Sequence, residues 1–200
     1  MRRTWEWFQR RATSAYAERW LAALSFAESS FFPIPVDVFL IAVLAAGAGR
    51  WMRHALITTV ASILGAVFGY AIGFFVFEPI AQPIIEFYHL SEQFAHVGEL
   101  YTNSTFWAVL AAAFTPIPFK VFVLAGGFFA VPIVPFLLAS VIGRGVRFYL
   151  VSWLSHRYGP RAAELFLSHF NKITLALVAL VAAWVIAHYD LVQRVVELFG

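Results

Sequence analysis

Residues 33–40 read Pro-Ile-Pro-Val-Asp-Val-Phe-Leu, and residues 116–123 read Pro-Ile-Pro-Phe-Lys-Val-Phe-Val. When the two octamers are aligned, Asp37 falls on Lys120. Further along the chain, residues 61–65 (ASILG) align in the same way with residues 139–143 (ASVIG). Two matches in the same order indicate that the chain contains an internal repeat.

The composition around both octamers is too apolar for a soluble protein. Apolar residue types make up 62% of the 200 residues and charged types 12%, whereas soluble domains have roughly 45–50% and 25%. A short soluble chain cannot hide so much apolar surface, because small domains leave much of their area exposed. A soluble enzyme, a disordered protein and, since Cys is absent, a disulfide scaffold are excluded. We therefore expect an all-α integral membrane protein.

Each octamer interrupts an apolar stretch, at 20–49 or at 105–132, that is too broken to cross a bilayer as one helix. Two prolines spaced by one residue end a helix and leave apolar arms about half as long as a span requires. Irregular backbone at membrane depth must be enclosed by protein or water. Each stretch is therefore predicted to be a re-entrant hairpin. The prolines that break the hairpins are Pro33, Pro35, Pro116 and Pro118.

Uninterrupted apolar runs complete the predicted organisation. Residues 55–77 and 135–155 are expected to be transmembrane helices that follow the hairpins, and 172–189 a further one near the lower length limit. Residues 1–19 carry an aromatic stripe and predict an amphipathic interfacial helix. The predicted parts are the interfacial helix (1–19), a membrane domain (20–160) and a C-terminal loop with a transmembrane helix (161–200). Within the membrane domain, repeat 1 covers about 20–77, an external segment 78–103 and repeat 2 about 104–160.

The distribution of charge predicts how the two copies are oriented. Arginines gather at 1–20, 50–53 and 144–161, whereas residues 78–103 contain four Glu and neither Lys nor Arg. The positive-inside rule places the N-terminus and both basic loops in the cytoplasm and the acidic segment outside. The two copies would then be inverted. Inverted repeats built from broken helices are typical of secondary transporters.

Five ionisable residues inside the apolar stretches are candidates for substrate binding and transport, because charges at membrane depth are costly and usually functional. Glu28 and Asp37 are expected to exchange protons. Lys120 is expected to bind a lipid phosphate together with Arg144 and Arg147, which lie one helical turn apart. The alternatives are ion pairs that only hold the hairpins shut, a snorkelling lysine and arginines that anchor the cytoplasmic side.

The repeat also predicts how these charges meet. Asp37 and Lys120 occupy equivalent places in oppositely oriented hairpins, so we expect them to approach each other, directly or through Glu28 or an arginine. A close helix-packing face is expected at Gly65, Gly69 and Gly73, which recur every four residues. We expect no metal site, no cofactor and no nucleic-acid partner.

Together these motifs resemble the DedA superfamily, also called the VTT-domain or SNARE-associated Golgi group. The resemblance rests on residues 28–37 (ESSFFPIPVD), 114–120 (FTPIPFK) and 143–148 (GRGVRF). It covers about residues 20–160 and is greatest for the small YqaA-like bacterial branch. It implies a lipid carrier in the bacterial cytoplasmic (inner) membrane, with undecaprenyl phosphate or phosphatidylethanolamine as substrate and coupling to protons.

The leading hypothesis is a flippase or scramblase that moves such a lipid between leaflets. A second hypothesis is a membrane enzyme acting on lipid headgroups, with Glu28 and Asp37 as acid and base. The lack of a nucleophile motif or a metal cluster counts against it. A third is a structural or assembly protein without a substrate. Turnover separates the first two, because an enzyme changes the lipid chemically whereas a carrier changes only its leaflet.

Overall fold

A computed structural model of the protein describes residues 16–32, 35–46, 50–77, 91–115 and 118–169, together with positions 172 and 176. Within these ranges the secondary structure is helical and no strand occurs. The predicted all-α class is therefore confirmed. The interfacial helix expected at 1–19 and the transmembrane helix expected at 172–189 lie almost wholly outside the described residues. Pro33 and Pro116 also lie outside them.

Both halves of the chain contain two short helices followed by a long one. In the first half these are α1 (Ala17–Ser30), α2 (Val36–Ala46) and α3 (Trp51–Ile72), which continues as a π-helical turn over Gly73–Phe77. A connecting helix, α4, spans Ser91–Asn103. The second half contains α5 (Thr105–Phe114), α6 (Phe119–Phe128) and α7 (Ile133–Tyr158), and residues 160–169 are also helical.

The short helices are separated where the paired prolines predict a break. Pro35 and Pro118 are not helical, and each stands directly before the first residue of α2 or α6. A proline lacks the amide hydrogen that a continuing helix needs, but it is tolerated where a new helix begins. The arms are 10 to 14 residues long and at 1.5 Å per residue are too short to cross a bilayer of about 30 Å.

Equivalent helices of the two halves make equivalent contacts. α1 packs on α3, and α5 packs on α7. The second short helix of each half crosses to the long helix of the other half, so α2 packs on α7 and α6 packs on α3. The long helices α3 and α7 contact each other at the centre. The internal repeat thus extends to the packing, while the inverted orientation of the halves in a membrane stays a prediction.

Glycines let several of these helices approach backbone to backbone. A Cβ at Gly65 would collide with the carbonyl of Phe26 on α1. A Cβ on Gly143, the repeat equivalent of Gly65, would lie 2.6 Å from the Cβ of Ala113 on α5. Gly73 meets the backbone of Leu124 and Phe128 on α6, and a Cβ at Gly69 would lie 2.7 Å from the side-chain atom Cγ1 of Val123 on the same helix. The glycines at spacing four therefore line close helix contacts.

Within the described ranges, two helices are long and apolar enough to cross a membrane, Trp51–Val76 and Ile133–Tyr158, each of 26 residues. They include the spans predicted at 55–77 and 135–155, apart from Phe77. Large apolar side chains remain exposed along both, as a surface facing lipid requires. On α3 these include Leu56, Val60, Leu64, Val67 and Phe68, and on α7 Val134, Leu138, Val141, Ile142, Val146 and Trp153.

Candidate functional site

Two arginine side chains of α7 are buried between two apolar clusters. Arg144 is 4% exposed and Arg147 is 8% exposed. One cluster belongs to α1 and α2 and includes Phe148, and the other belongs to α5 and α6 and includes Phe119. The guanidinium carbon of Arg144 lies 4.5 Å from the ring centre of Phe148 and 5.2 Å from that of Phe119. Neither arginine is therefore a solvent-exposed side chain.

Arg144 joins three helices through polar contacts. Its Nη2 forms an ion pair with Glu28 of α1. Its Nε donates to Ser62 Oγ on α3 at 2.7 Å, and Nη2 also lies 3.4 Å from Ser29 Oγ. Ser29 and Ser62 are themselves bonded at 2.6 Å. The buried positive charge thus has both a counter-charge and neutral acceptors, as a charge in an apolar interior requires.

Arg147 joins α2 of the first half to the end of α5 in the second. Its Nη2 and Nε donate to Asp37 Oδ2 at 2.6 and 3.3 Å, and its Nη1 donates to the carbonyl of Phe114 at 2.8 Å. Phe114 is the last residue of α5, and carbonyls in the last turn of a helix are commonly bound by groups outside the helix. Asp37 lies in the first turn of α2, where a carboxylate is stabilised by the helix dipole.

Four of the five predicted site residues are therefore brought together as two ion pairs. In both pairs the carboxylate comes from a short helix of the first half and the arginine from the long helix of the second half. The arginines are three residues apart on α7, so they lie on neighbouring positions of one face and reach α1 and α2, respectively. We call the group Glu28, Asp37, Arg144 and Arg147 the buried charge cluster.

Lys120 is not a member of this cluster. It lies in the first turn of α6, half-buried, and forms no ion pair with a carboxylate that the structure describes. Of the approaches expected between Asp37 and Lys120, the direct ion pair does not occur among the described residues, because the partner of Asp37 is Arg147. The reason is the packing of α2 on α7, which brings the long guanidinium side chain of α7 to the carboxylate. An approach through Glu28 or an arginine stays a prediction.

The equivalent positions of the first half carry no charge. Arg144 corresponds to Ala66, which is fully buried, and Arg147 corresponds to Gly69. A Cβ at Gly69 would lie only 2.7 Å from Val123 Cγ1, so nothing larger than hydrogen is accommodated there without movement. The repeat therefore has one charged side, built by α7, and one closely packed side, built by α3.

Sequence reasoning missed the neutral groups of the site. Ser62 lies in the second repeat match, and its equivalent in the other half, Ser140, bonds only the carbonyl of Phe136 on its own helix at 2.7 Å. Ser29 follows Glu28 directly, and apart from this position nothing in the sequence indicates that it belongs to the site. The carbonyl of Phe114 is a backbone acceptor, which the sequence indicates only as the last residue before a helix break.

An apolar groove of about 360 Å³ opens beside the buried charge cluster, between α5 and α7. Phe114, whose carbonyl binds Arg147, lies in its wall, and so do Gly143 and Val146, which flank the two arginines in sequence. Its full lining is Trp107, Leu110, Ala111, Phe114, Ile142, Gly143 and Val146. The cationic site and an apolar groove are thus neighbours on α7.

The chemistry available in this place is the binding of anions. Two guanidinium groups can each present paired donors to a phosphate or a carboxylate. In the described ranges, no group of three or more His, Asp or Glu residues is arranged to hold a metal ion. The two carboxylates of the cluster are held by the arginines.

Comparisons with known proteins identify one domain and several relatives. The VTT domain matches residues 34–157. An uncharacterized protein of Haemophilus influenzae is 32% identical over 189 residues, which cover 94% of each chain. An uncharacterized protein of Histophilus somni is 32% identical over 80% of this chain and 82% of its own, and one of Methanocaldococcus jannaschii is 30% identical over 64% and 77%, respectively. No solved structure matches the chain significantly.

Proposed function

The chain belongs to the VTT domain family, and from this premise we propose that it is a lipid transporter that moves a phospholipid or a polyprenyl phosphate between membrane leaflets. The observation that carries the proposal is the buried charge cluster. Two arginines lie inside an apolar bundle, each held by a carboxylate from another helix. Guanidinium groups held in this way are suited to receive the phosphate that both lipid classes share.

In the proposed transport step, the two arginines exchange their carboxylate partners for the phosphate of the lipid. A phosphate that enters the site competes with Asp37 and Glu28 for the guanidinium groups of Arg147 and Arg144. A carboxylate that loses its arginine inside an apolar bundle is costly as an anion and is neutralised by taking up a proton. Binding of an anionic headgroup and uptake of a proton would then accompany each other. Proton coupling follows from the pairing of the cluster.

The groove between α5 and α7 suits the apolar part of the same lipid. It is lined by apolar side chains, and Trp107 at its wall is 72% exposed. A hydrocarbon chain lying there would keep its contact with the bilayer while the headgroup stays at Arg147. Lys120, half-buried at the start of α6, is placed by the proposal at the approach to the site, where it attracts anionic headgroups.

The orientation proposed for the protein is multi-pass in the bacterial inner membrane, with a cytoplasmic N-terminus. The ring of Trp51, next to the basic residues Arg50 and Arg53, stacks on His156 at 5.8 Å between ring centres, next to Arg157. Both basic segments therefore lie at one end of the bundle, which we call the basic end. The positive-inside rule assigns such an end to the cytoplasm.

The alternative of a membrane enzyme acting on headgroups is less well supported. A general acid or base must be free to reach the substrate, and Glu28 and Asp37 are both engaged by arginines. An assay of lipid movement in liposomes distinguishes the two functions, because analysis of the recovered lipid reveals any chemical change. A structural or assembly protein would leave both the leaflet and the chemistry of the lipid unchanged.

The first experiment measures lipid movement in proteoliposomes that contain labelled phospholipid or labelled polyprenyl phosphate. We expect the wild type to accelerate the movement of at least one class. Arg144→Lys keeps the charge but loses the paired donors, and hydrogen bonds to charged groups contribute roughly 1.5–3 kcal/mol, so transport should fall by about 10- to 100-fold.

Arg157→Gln is the matched control, because Arg157 is an exposed basic residue of the same helix. Its transport rate should equal that of the wild type. A wild type that moves neither lipid class faster than empty liposomes would contradict the proposed function. A wild-type rate of lipid transport in Arg144→Lys would show that the paired donors of Arg144 are not needed for transport.

The second experiment fills the groove. Ala111 is exposed on α5 and lines the groove, so Ala111→Phe places an aromatic ring where the hydrocarbon chain is proposed to lie. We expect the transport rate to fall about tenfold, corresponding to roughly 1.4 kcal/mol of lost binding, with folding unchanged. Ala45→Phe adds the same ring at an exposed position of α2 and should leave the rate unchanged. Equal rates in the two variants would exclude the groove.

A further inference from the structure

Four buried polar atoms of the described residues have no hydrogen-bond partner. They are Asp37 Oδ1, His54 Nδ1, Ser152 Oγ and Ser155 Oγ. The residues His54, Ser152 and Ser155 are 7%, 0% and 4% exposed, respectively. Leaving such a group buried and unpaired costs about 1–3 kcal/mol. Three of them lie on α3 and α7, on the side of the buried charge cluster that leads to the basic end.

The register of α3 against α7 is fixed by three contacts. Residue numbers rise along α3 while they fall along α7, so the two helices are antiparallel. The contacts are the stacked rings of Trp51 and His156, the hydrogen bond from Arg144 to Ser62, and a distance of 3.8 Å between an ideal Cβ at Gly145 and Thr59 Cγ2.

This register brings His54 and Ser152 to the same level. On α7, Ser152 lies in one stripe between Gly145 and His156, at intervals of seven and four residues, and both neighbours in the stripe face α3. On α3, His54 lies between Trp51, whose ring stacks on His156, and Thr59, which lies against Gly145. Ser155 is one helical turn from Ser152, toward the basic end. The Nδ1 atom of His54 and the Ser152 hydroxyl, which have no hydrogen-bond partner, therefore occupy one layer of the α3–α7 contact.

Polar groups continue from this layer in both directions. Toward the buried charge cluster, Thr58 Oγ1 donates to the carbonyl of His54, and Ser25 Oγ donates to the carbonyl of Thr58, both at 2.7 Å. One turn further lie Ser29 and Ser62, which bind Arg144. Small hydroxyl side chains thus line α1 and α3 over the whole distance from His54 to the cluster.

Toward the solvent, charged residues surround His54. Its Nε2 lies 3.8 Å from Glu18 Oε1 on α1, and Glu18 is bound by Arg53 at 2.7 Å. The side chains of Glu18 and Arg53 are 30% and 58% exposed. Arg50 also acts on His54 electrostatically, and His156 faces this end from α7. The polar layer therefore reaches water at the basic end.

We propose that the α1–α3–α7 contact encloses a chain of water molecules that runs from the basic end, past Ser155 and then His54 and Ser152, to the Glu28–Arg144 pair. Buried waters are found where several polar groups converge without other partners. The path gives the charge cluster access to protons from one side of the membrane. This use rests on the proposed function, whereas the existence of the water chain does not.

The test uses the absence of native cysteine in the chain. Ser152→Cys and Ser155→Cys are made in the full chain, reconstituted in liposomes and treated with a membrane-impermeant methanethiosulfonate reagent. Ser140→Cys is the matched control, because Ser140 lies on the same helix, is 0% exposed and bonds its own helix. The reacting species is the thiolate, which a dry site suppresses. We expect Ser152→Cys and Ser155→Cys to react about tenfold or more faster than Ser140→Cys, from the basic end only.

Two results would overturn the proposal. One is reaction of Ser152→Cys and Ser155→Cys as slow as that of Ser140→Cys. The other is unchanged labelling of Ser152→Cys after His54→Phe, which places an apolar ring in the layer of Ser152 and should slow the reaction several-fold. Fast labelling combined with no lipid movement supports the water chain and contradicts only the proposed function.

Discussion

Asp37→Ala is expected to be among the most damaging single substitutions in the chain. It leaves the Arg147 guanidinium, 8% exposed, without its counter-charge. Removing one partner of a buried ion pair costs about 3–5 kcal/mol, and we expect a value near the lower end because the Asp37 side chain retains 20% of its exposure. The unfolding free energy of the purified protein in detergent measures this loss, and lipid movement should be abolished.

The double variant Asp37→Ala/Arg147→Met separates stability from transport. Replacing both members of a buried pair by apolar groups is often neutral or stabilising, so the double variant should recover most of the lost stability. It should still move no lipid, because the phosphate site has lost Arg147. Glu99→Ala, at an exposed position of α4, should change neither property. Normal transport in the double variant would show that Arg147 only holds the hairpins together.

Gly127→Ala is expected to prevent the close packing of α6 on α3. A Cβ at Gly127 would collide with the carbonyl of Tyr70 and lie 2.7 Å from the amide nitrogen of Phe74. Both obstacles are backbone, so they cannot turn aside as a side chain does. Overpacking costs roughly 1–3 kcal/mol and occasionally more, and we expect the loss of unfolding free energy to reach at least the upper end.

Gly145→Ala is the matched control on α7. The nearest atom to its added Cβ would be Thr59 Cγ2 at 3.8 Å, which is ordinary contact. Alanine is favoured over glycine inside a helix by about 1 kcal/mol, so this variant should be as stable as the wild type or more stable. Equal losses in the two variants would mean that the helices separate easily and that the α3–α6 contact does not hold the fold.

The features that could be predicted from the sequence are those set by chain-local chemistry. Two prolines spaced by one residue interrupt a helix and favour the start of a new one, so the breaks before Val36 and Phe119 could be placed directly. The apolar length of α3 and α7 identified them as possible spans. The repeat also indicated that residues from both halves meet, which the pairing of Glu28 with Arg144 bears out in the structure.

The features that could not be predicted depend on which helix lies against which. An alignment of the repeats sets Asp37 opposite Lys120 as equivalent positions, but equivalence across a pseudo-axis does not determine contact. The carboxylate instead binds the cation of the helix on which α2 packs. The role of the Phe114 carbonyl as an acceptor could not be predicted for another reason. Every residue has a backbone carbonyl, so the residue type does not indicate which carbonyl binds a side chain.

The uneven division of charge between the halves has a consequence for the resting state of the proposed transporter. If two identical halves exchanged conformations, the states open to either side would have the same energy and would be equally populated. Here α7 contributes two guanidinium groups where α3 contributes Ala66 and Gly69, so the two states make different contacts and are not degenerate. Without any gradient the substrate site would be open mostly to one side of the membrane. The ion pairs that only one state retains would set this imbalance.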